Sequence, residues 1–192
     1  VYEAAPRLGG HTNTVDVTVD GIDYAVDTGF LVYNERTYPN LIRLFGELDV
    51  PVAKSDMSFS VSVPLGTRGR RLEWGGADLD TVFAQRRNLM SPRFIRMLRD
   101  LLRFNRQATA VALGHEPGGD LTLGEFLDRH RYGAEFRQWY LLPMAGAIWS
   151  CPLATMLAYP AATFVRFCHN HGLLQVNDRP QWFTVAGGAR QY

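Results

Sequence analysis

The chain has 192 residues, of which 46% are hydrophobic and 20% are charged, and its formal net charge is +1. This composition is typical of a soluble globular protein and excludes a disordered or collagen-like chain. The balanced charge gives no indication of a nucleic-acid partner. Cys151 and Cys168 form no C-x-x-C pair, and no apolar run approaches the roughly 20 residues of a membrane span. We therefore expect a cytoplasmic protein with reduced thiols.

The first 13 residues, VYEAAPRLGGHTN, have the pattern of a nucleotide-binding segment. A Glu at the end of a strand accepts hydrogen bonds from a ribose diol, and a glycine pair lets the backbone approach a pyrophosphate. A Gly-x-Gly-x-x-Gly turn normally precedes such a Glu by roughly 20 residues. Glu3 is only the third residue here. The segment therefore predicts the second half of a nucleotide-binding βαβ unit, and we expect the chain to be an internal fragment.

The next elements are a hairpin, a loop and a helix. Apolar residues alternate on either side of Asp20-Gly21, which predicts a two-residue hairpin turn. The loop 27–30 follows the second strand. Thr37 and Pro39 begin the helix, which ends before Pro51. Its apolar face is expected to comprise Leu41, Ile42, Leu44, Phe45 and Leu48.

The middle of the chain changes from strand to helix patterns. Met57, Phe59, Val61 and Val63 alternate with serines and predict a strand, with 71–74 pairing back after a turn at 66–69. Ser91-Pro92 caps a long helix, and Gly118-Gly119 interrupts the helical pattern. The inward residues of that helix are predicted to be Phe94, Ile95, Leu98, Leu101 and Leu102.

The last part of the chain is predicted to be helical and then to return to strand. Thr122 and Glu125 form a capping box before a helix. Two helical stretches follow, at about 134–148 and 153–171, and Pro160 should kink or split the second. Residues 181–185 return to a strand pattern. The organisation is a small β-rich part at both ends of the chain, with a helical insert of about 100 residues between them.

These motifs, taken in order, resemble those of the flavin-containing amine oxidase superfamily, which includes monoamine oxidases, protoporphyrinogen oxidase and phytoene desaturases. The family shows Glu-Ala, then Arg-x-Gly-Gly-Arg, then a hairpin ending in Asp-x-Gly. The sequence of residues 9–15, GGHTNTV, is more similar still to a bacterial branch of the superfamily, described as NAD/FAD-binding or amine-oxidase-like proteins. The matching residues are Glu3, Ala4, Arg7, Gly9, Gly10, Asp27 and Gly29, with His11 where the family often has Arg.

The resemblance implies a mixed α/β fold in which a mostly helical substrate domain is inserted into a partial FAD-binding, Rossmann-like domain. Residues 1–52 would belong to the FAD-binding domain, 53–180 to the substrate domain, and 181–192 to the return into the FAD-binding domain. The reaction implied for the intact protein is hydride removal from a C–N or C–C bond to the flavin. The substrate would be a small molecule, either an amine or a lipid-like compound, and no catalytic side chain is assigned.

The resemblance also implies a set of cofactor-binding residues. Glu3 would bind the adenosine ribose of FAD, and Arg7 would lie near its pyrophosphate. The backbone of Gly9 and Gly10 would pass along the pyrophosphate, and the residues around 28–30 would lie near the ribityl chain and the flavin ring. We expect weak or no FAD binding by these residues alone, because no Gly-rich turn precedes them here. The full set is Glu3, Arg7, Gly9, Gly10, His11, Thr12, Thr28, Gly29 and Phe30.

Three further interpretations remain open at this stage. Arg96, Arg99, Arg103 and Arg106 recur at helical spacing, which suits either an anionic membrane surface or a solvated helix face. The run 168–171, CHNH, does not place three ligands so that they converge on a metal, so no metal site is expected. The alternative to a flavoenzyme is a non-catalytic helical binding or self-association module, and a homo-oligomer remains open.

Overall fold

The computed structural model describes residues 2–66, 69–116, 120–177 and 179–192. The chain divides into two compact units, Val1–Met57 with Pro180–Tyr192, and Ser58–Arg179. The fold is mixed α/β, as predicted. The division into an FAD-binding and a substrate domain, and the Rossmann-like character of the former, stay predictions.

The elements follow one another in chain order. The strands are β1 (Thr14–Val19), β2 (Ile22–Asp27), β3 (Tyr33–Asn34), β4 (Val52–Ser55), β5 (Ser60–Pro64), β6 (Arg71–Gly75) and β7 (Trp182–Val185). The helices are α1 (Pro39–Glu47), α2 (Leu79–Val82), α3 (Pro92–Ala112), α4 (Leu123–Arg129), α5 (Ala134–Phe136), α6 (Leu142–Trp149), α7 (Leu153–Leu157) and α8 (Ala161–Asn170). Short 3₁₀ turns cover Arg86–Met90 and Ala189–Gln191, and a π-helical turn covers Arg137–Leu141.

The first unit contains the predicted hairpin. β1 and β2 pair antiparallel, with Val15 opposite Val26 and Val17 opposite Tyr24. Asp20 and Gly21 both have positive φ, 52° and 77°, which is the backbone of a tight turn that matches the right-handed twist of the two strands. The hairpin prediction is therefore confirmed.

The rest of the first unit is a small three-stranded sheet in the order β3-β7-β4, with both pairs antiparallel. Tyr33, Phe45, Val50 and Val185 form its buried core. On the predicted apolar face of α1, Phe45 is buried, whereas Leu44 and Leu48 are 40% and 55% exposed. β4 was not predicted, since its four residues carry no alternation and become a strand by pairing with β7.

The second unit begins with the β5–β6 hairpin. The predicted strand over residues 57–63 is wrong at its start, because β5 begins at Ser60 and Met57 is 41% exposed. Pairing ends at Ser60 opposite Gly75, where the partner strand gives way to the turn before α2. Pairing of 71–74 with β5 is confirmed. Of the predicted turn at 66–69, the two central residues lie outside the described part of the chain, as does Gly118-Gly119.

α3 is the central helix of the second unit and packs against α8. Ser91 caps it as predicted and accepts a hydrogen bond from the Phe94 amide. The predicted inward face is wrong at Ile95 and Leu102, which are 36% and 55% exposed. The buried stripe of this helix instead consists of Phe94, Met97, Phe104, Ala108 and Val111.

The caps predicted for the later helices are confirmed. Thr122 and Glu125 form a reciprocal capping box on α4, in which the Thr122 hydroxyl accepts from the Glu125 amide and Glu125 accepts from the Thr122 amide. Pro160 splits the predicted helix 153–171 into α7 and α8, because a proline ring lacks the amide that would continue the ladder.

The predicted helix 134–148 is interrupted by the π-helical turn 137–141, and Pro143 explains why. In a regular helix the amide of residue 143 would bond to the carbonyl of Trp139, and proline has no such amide. That buried carbonyl accepts instead from the indole Nε1 of Trp74 at 3.1 Å. A side chain on β6 thus donates to a backbone acceptor that has lost its regular donor, the amide of residue 143.

Arg93 and Glu135 form a part-buried ion pair in the same unit. The Arg93 Nε donates to Glu135 Oε1 at 2.8 Å, and the guanidinium lies 4.8 Å from the centre of the Trp139 ring. The Arg93 hydrogen bond holds the pKa of Glu135 below its ordinary value of 4.5, against the opposing effect of burial.

Among the helices that the structure describes, none has both the length and the apolar character that a membrane span needs.

Replacing Trp74 by Phe should destabilise the protein by about 1–3 kcal/mol, because it leaves the buried Trp139 carbonyl without a donor. In a Pro143→Ala background residue 143 carries an amide that can reach that carbonyl, so the same substitution should cost less. Urea denaturation of the four proteins in this double-mutant cycle measures the difference. An equal cost of Trp74→Phe in both backgrounds would contradict this explanation of the π-helical turn.

The Arg93–Glu135 pair should contribute stability that depends on pH. Because the pKa of Glu135 is lowered in the folded protein, its contribution is present above pH 4.5 and disappears as the pH falls through the lowered value. Arg93→Gln should therefore cost about 1 kcal/mol at neutral pH, a modest amount because Arg93 is largely exposed, and less below pH 4.5. Denaturation curves from pH 7 to 3 test this. The control Arg43→Gln, at an exposed pair with Glu47, should show no such trend.

Candidate cofactor site

The glycine pair of the first segment forms a tight turn with a cation held over it. Gly9 and Gly10 have φ angles of 103° and 54°, a backbone region that side chains rarely adopt. The Thr12 amide donates to the Gly9 carbonyl at 2.9 Å and closes the turn. The guanidinium of Arg7 donates to the Gly10 carbonyl, also at 2.9 Å. The turn therefore fixes the position of a positive charge.

The carbonyl of His11 ties this segment to the loop after β2. It accepts hydrogen bonds from the amides of Asn13 and Phe30 at 2.9 and 3.2 Å. A Cβ on Gly29 would overlap this carbonyl, so the backbones can approach only because residue 29 is glycine. The contact joins residues that are 18 positions apart in the sequence.

A second set of bonds joins the same two segments beside it. The Thr28 amide donates to the Asn13 carbonyl at 2.9 Å, and the Asn13 Nδ2 donates to the Thr28 hydroxyl at 2.8 Å. The loop is thereby held along its length by backbone and side-chain hydrogen bonds.

The two segments enclose a concavity of about 350 Å³. It is lined by Arg7, Gly10, His11, Asn13, Thr28 and Gly29. Five of these six residues belong to the predicted cofactor set, and Asn13 does not. The signal in the sequence that could have identified Asn13 is its position in the motif GGHTNTV. In the structure, its side-chain hydrogen bond to Thr28 brings it to the site.

The other predicted residues lie outside this concavity. Glu3 is exposed and accepts from the Ala5 amide at 2.8 Å. Gly9 shapes the turn, and the Thr12 hydroxyl donates to the Tyr192 hydroxyl at 3.3 Å. The Phe30 ring packs among aromatic side chains, with centroids 6.5 Å from Tyr33 and 6.3 Å from Tyr38. The binding roles of all nine residues stay predictions.

The donors at the concavity suit an anionic ligand. Among the described residues, the amides of Gly10 and His11 donate to no acceptor. The space beside Gly10 is open, since a Cβ there would meet no atom within 4 Å. Two adjacent amides with a guanidinium beside them form the kind of nest that binds phosphate oxygens. The donor set therefore fits a pyrophosphate.

The closing segment of the chain supports the hairpin from which the loop extends. Asp27 Oδ1 accepts from the Thr14 hydroxyl at 2.6 Å and from the Ala189 amide at 2.8 Å. A Cβ on Gly188 would lie 2.5 Å from the Thr14 methyl group, so glycine is required there too. Arg190 forms a two-pronged ion pair with Asp16. Residues 188–190 thus hold the start of β1 and the end of β2 in place.

In the described part of the chain, no group of three His, Cys, Asp or Glu residues lies close enough to hold a metal ion. Cys168 is fully buried, and burial raises the pKa of its thiol to about 12. It is therefore a thiol at neutral pH and a poor metal ligand or nucleophile.

A mixed α/β fold and a glycine turn beside a glycine-dependent loop are features that a nucleotide-cofactor protein would use. The family model for flavin containing amine oxidoreductases matches residues 1–174. The chain therefore belongs to this family, and a flavin is the cofactor that membership implies for the intact protein. No curated protein matches the chain.

Gly29→Ala should destabilise the first unit by about 1–3 kcal/mol, because its Cβ would displace the His11 carbonyl and separate the two segments. Gly46→Ala is the matched control, since Gly46 lies within α1 with open space around it. That control should stabilise the protein by about 0.5–1 kcal/mol. Chemical denaturation of both variants measures these changes, and equal stability of the two would show that the contact does not constrain residue 29.

Proposed function

We propose that the chain is part of an FAD-dependent oxidoreductase. The intact enzyme would transfer a hydride from a C–N or C–C bond of a small-molecule substrate to the flavin. The observation that carries the proposal is the concavity described above, in which the guanidinium of Arg7 lies beside the amides of Gly10 and His11, which have no acceptor. Family membership supports the flavin, and this geometry supports the place where its pyrophosphate would bind. The cytoplasm is the proposed location, and an amine or a lipid-like molecule is the proposed substrate.

The residues of the chain would contribute binding and orientation. The amides of Gly10 and His11 would donate to pyrophosphate oxygens, and Arg7 would balance their charge. Thr28 and Asn13 also line the concavity and would contact the part of the cofactor that follows the pyrophosphate. Glu3 is exposed at the end of the same segment, where it would accept from the ribose hydroxyls.

The flavin, when bound, would supply the hydride acceptor, and the protein supplies position and exclusion of water. Phe30 follows the lining residue Gly29 and belongs to a cluster with Tyr33, Tyr38 and Phe45. This cluster fixes the backbone at the end of the loop, because several large rings pack on one another there. The loop would therefore present Thr28 and Gly29 in one conformation.

The competing proposal is a non-catalytic binding or self-association module, and the β1–β2 hairpin favours it. The register places six apolar side chains on one face of the hairpin, and each is between 40% and 56% exposed. A two-stranded hairpin with an uncovered apolar face is marginal in water, so another surface is expected to cover it. These residues are Val15, Val17, Val19, Ile22, Tyr24 and Val26.

A titration with FAD, followed by flavin fluorescence and by competition with ADP, tests the flavin proposal. We expect weak binding that ADP displaces, because the glycine turn and Arg7 would recognise the phosphate part of the cofactor. Arg7→Gln should weaken binding about tenfold, the value of one charge-assisted hydrogen bond. Arg43→Gln, which removes an equal charge from an exposed position on α1, should leave the affinity unchanged.

Equal affinity of the Arg7 and Arg43 variants for FAD would contradict the proposal that this segment binds the pyrophosphate. A chain that binds no FAD and whose mass in sedimentation equilibrium rises with concentration would support the self-association alternative instead.

A further inference from the structure

One surface of the second unit combines free arginines with exposed apolar side chains. It is formed by the outer side of α3 and the 3₁₀ turn that precedes it, and we call it the basic–apolar face. Its members are Leu89, Met90, Ile95, Arg96, Arg99, Leu102 and Arg106.

The arginines of this region fall into two groups. Arg93 is paired with Glu135, and Arg103 donates to Asp100 Oδ1 at 2.9 Å and lies 4.0 Å from the centre of the Tyr132 ring. Arg103 also donates to the His130 carbonyl at 2.8 Å, so it belongs to the internal structure. The membrane-surface interpretation of the arginine repeat, which the sequence left open, is therefore considered below for Arg96, Arg99 and Arg106 and not for Arg103.

The other three arginines are exposed and uncommitted. Arg96, Arg99 and Arg106 make no ion pair or hydrogen bond to any described residue. They repeat at intervals of three and seven residues, which places them along one line of α3. Asp100 on α3 and Glu135 on α5 are already engaged by the paired arginines. The line therefore carries three positive charges without ion pairs, although Arg96 also helps to lower the pKa of Glu135.

Apolar side chains project beside these charges. Met90 is 89% exposed and Leu89 is 53% exposed, and both lie in the short 3₁₀ turn that precedes α3. Together with Ile95, Arg96 and Arg99 they border a shallow depression of about 430 Å³. Leu102 continues the apolar edge about two turns beyond Ile95 along the helix. Exposed apolar groups of this size next to unpaired cations indicate a binding surface.

We propose that the basic–apolar face docks on the surface of an anionic lipid bilayer. Arginine side chains can extend to lipid phosphates while their methylene stems stay among apolar groups, and Met90 and Leu89 can enter the headgroup boundary. Each arginine near such a surface increases binding about fivefold.

Other occupants fit this face less well. A nucleic acid would neutralise the arginines and leave Met90 and Leu89 against a polar backbone. A second copy of the chain, placed face to face, would bring six uncompensated arginines together. A bilayer with anionic headgroups satisfies both the charges and the apolar side chains, and docking needs no helix that spans the membrane.

Vesicle co-sedimentation of the 192-residue chain tests the proposal. Vesicles with about one third phosphatidylglycerol in phosphatidylcholine should bind the chain, pure phosphatidylcholine should not, and added salt should weaken binding, as surface electrostatics requires. The triple variant Arg96→Gln, Arg99→Gln, Arg106→Gln should reduce the partition coefficient by about a hundredfold. Arg43→Gln is the control for the loss of charge elsewhere.

The apolar contribution is tested separately. Met90→Ser combined with Leu89→Ser should reduce vesicle binding at least tenfold, whereas Leu48→Ser, at an equally exposed position of the first unit, should not change it. Circular dichroism verifies that each variant is folded. Vesicle binding that survives the triple arginine variant, or that is insensitive to Met90 and Leu89, would overturn the proposal, as would equal binding to neutral vesicles. Displacement of bound chain by RNA at equal charge concentration would favour a nucleic acid instead.

Discussion

The candidate cofactor site depends on one backbone contact, the approach of Gly29 to the carbonyl of His11. That carbonyl accepts from Asn13 and Phe30, and no side chain at residue 29 could occupy the space between the two segments. Everything that lines the concavity follows from this contact. The first segment supplies Arg7, Gly10, His11 and Asn13 to its lining, and the loop supplies Thr28 and Gly29. The glycine therefore acts through distance, because it lets two polypeptide segments come within hydrogen-bonding range.

The second unit shows the same dependence of backbone on a distant side chain. Pro143 removes the donor that would satisfy Trp139 in a regular helix, and the chain responds with a π-helical turn and an indole from β6. Neither residue explains the arrangement alone. A buried carbonyl needs a hydrogen-bond donor, and Pro143 supplies none to Trp139. The indole of Trp74, on a neighbouring strand, takes that role.

Local signals in the sequence predict much of this fold, and nonlocal ones limit it. The hairpin turn, the caps of α3 and α4 and the split at Pro160 depend on residues within four positions of each other, and these predictions are confirmed. The inward face of α3 is shifted, because Ile95 and Leu102 are as apolar as the buried residues and only the packing partners distinguish them. β4 exists through its pairing with β7, more than 120 residues away. At the site, glycine spacing identifies the turn, whereas the place of Asn13 depends on a side-chain bond to the loop.

The central claim is that the amides of Gly10 and His11, with Arg7 beside them, form the place where the family's cofactor pyrophosphate binds. Titration of the ¹⁵N-labelled chain with inorganic pyrophosphate, followed by NMR, tests this most directly. The account predicts large, saturable shifts of the Gly10 and His11 amide signals, with smaller shifts at Thr28 and Gly29 and none at Gly21 or Gly46. Unchanged signals at Gly10 and His11, or shifts spread evenly over the exposed arginines, would contradict it.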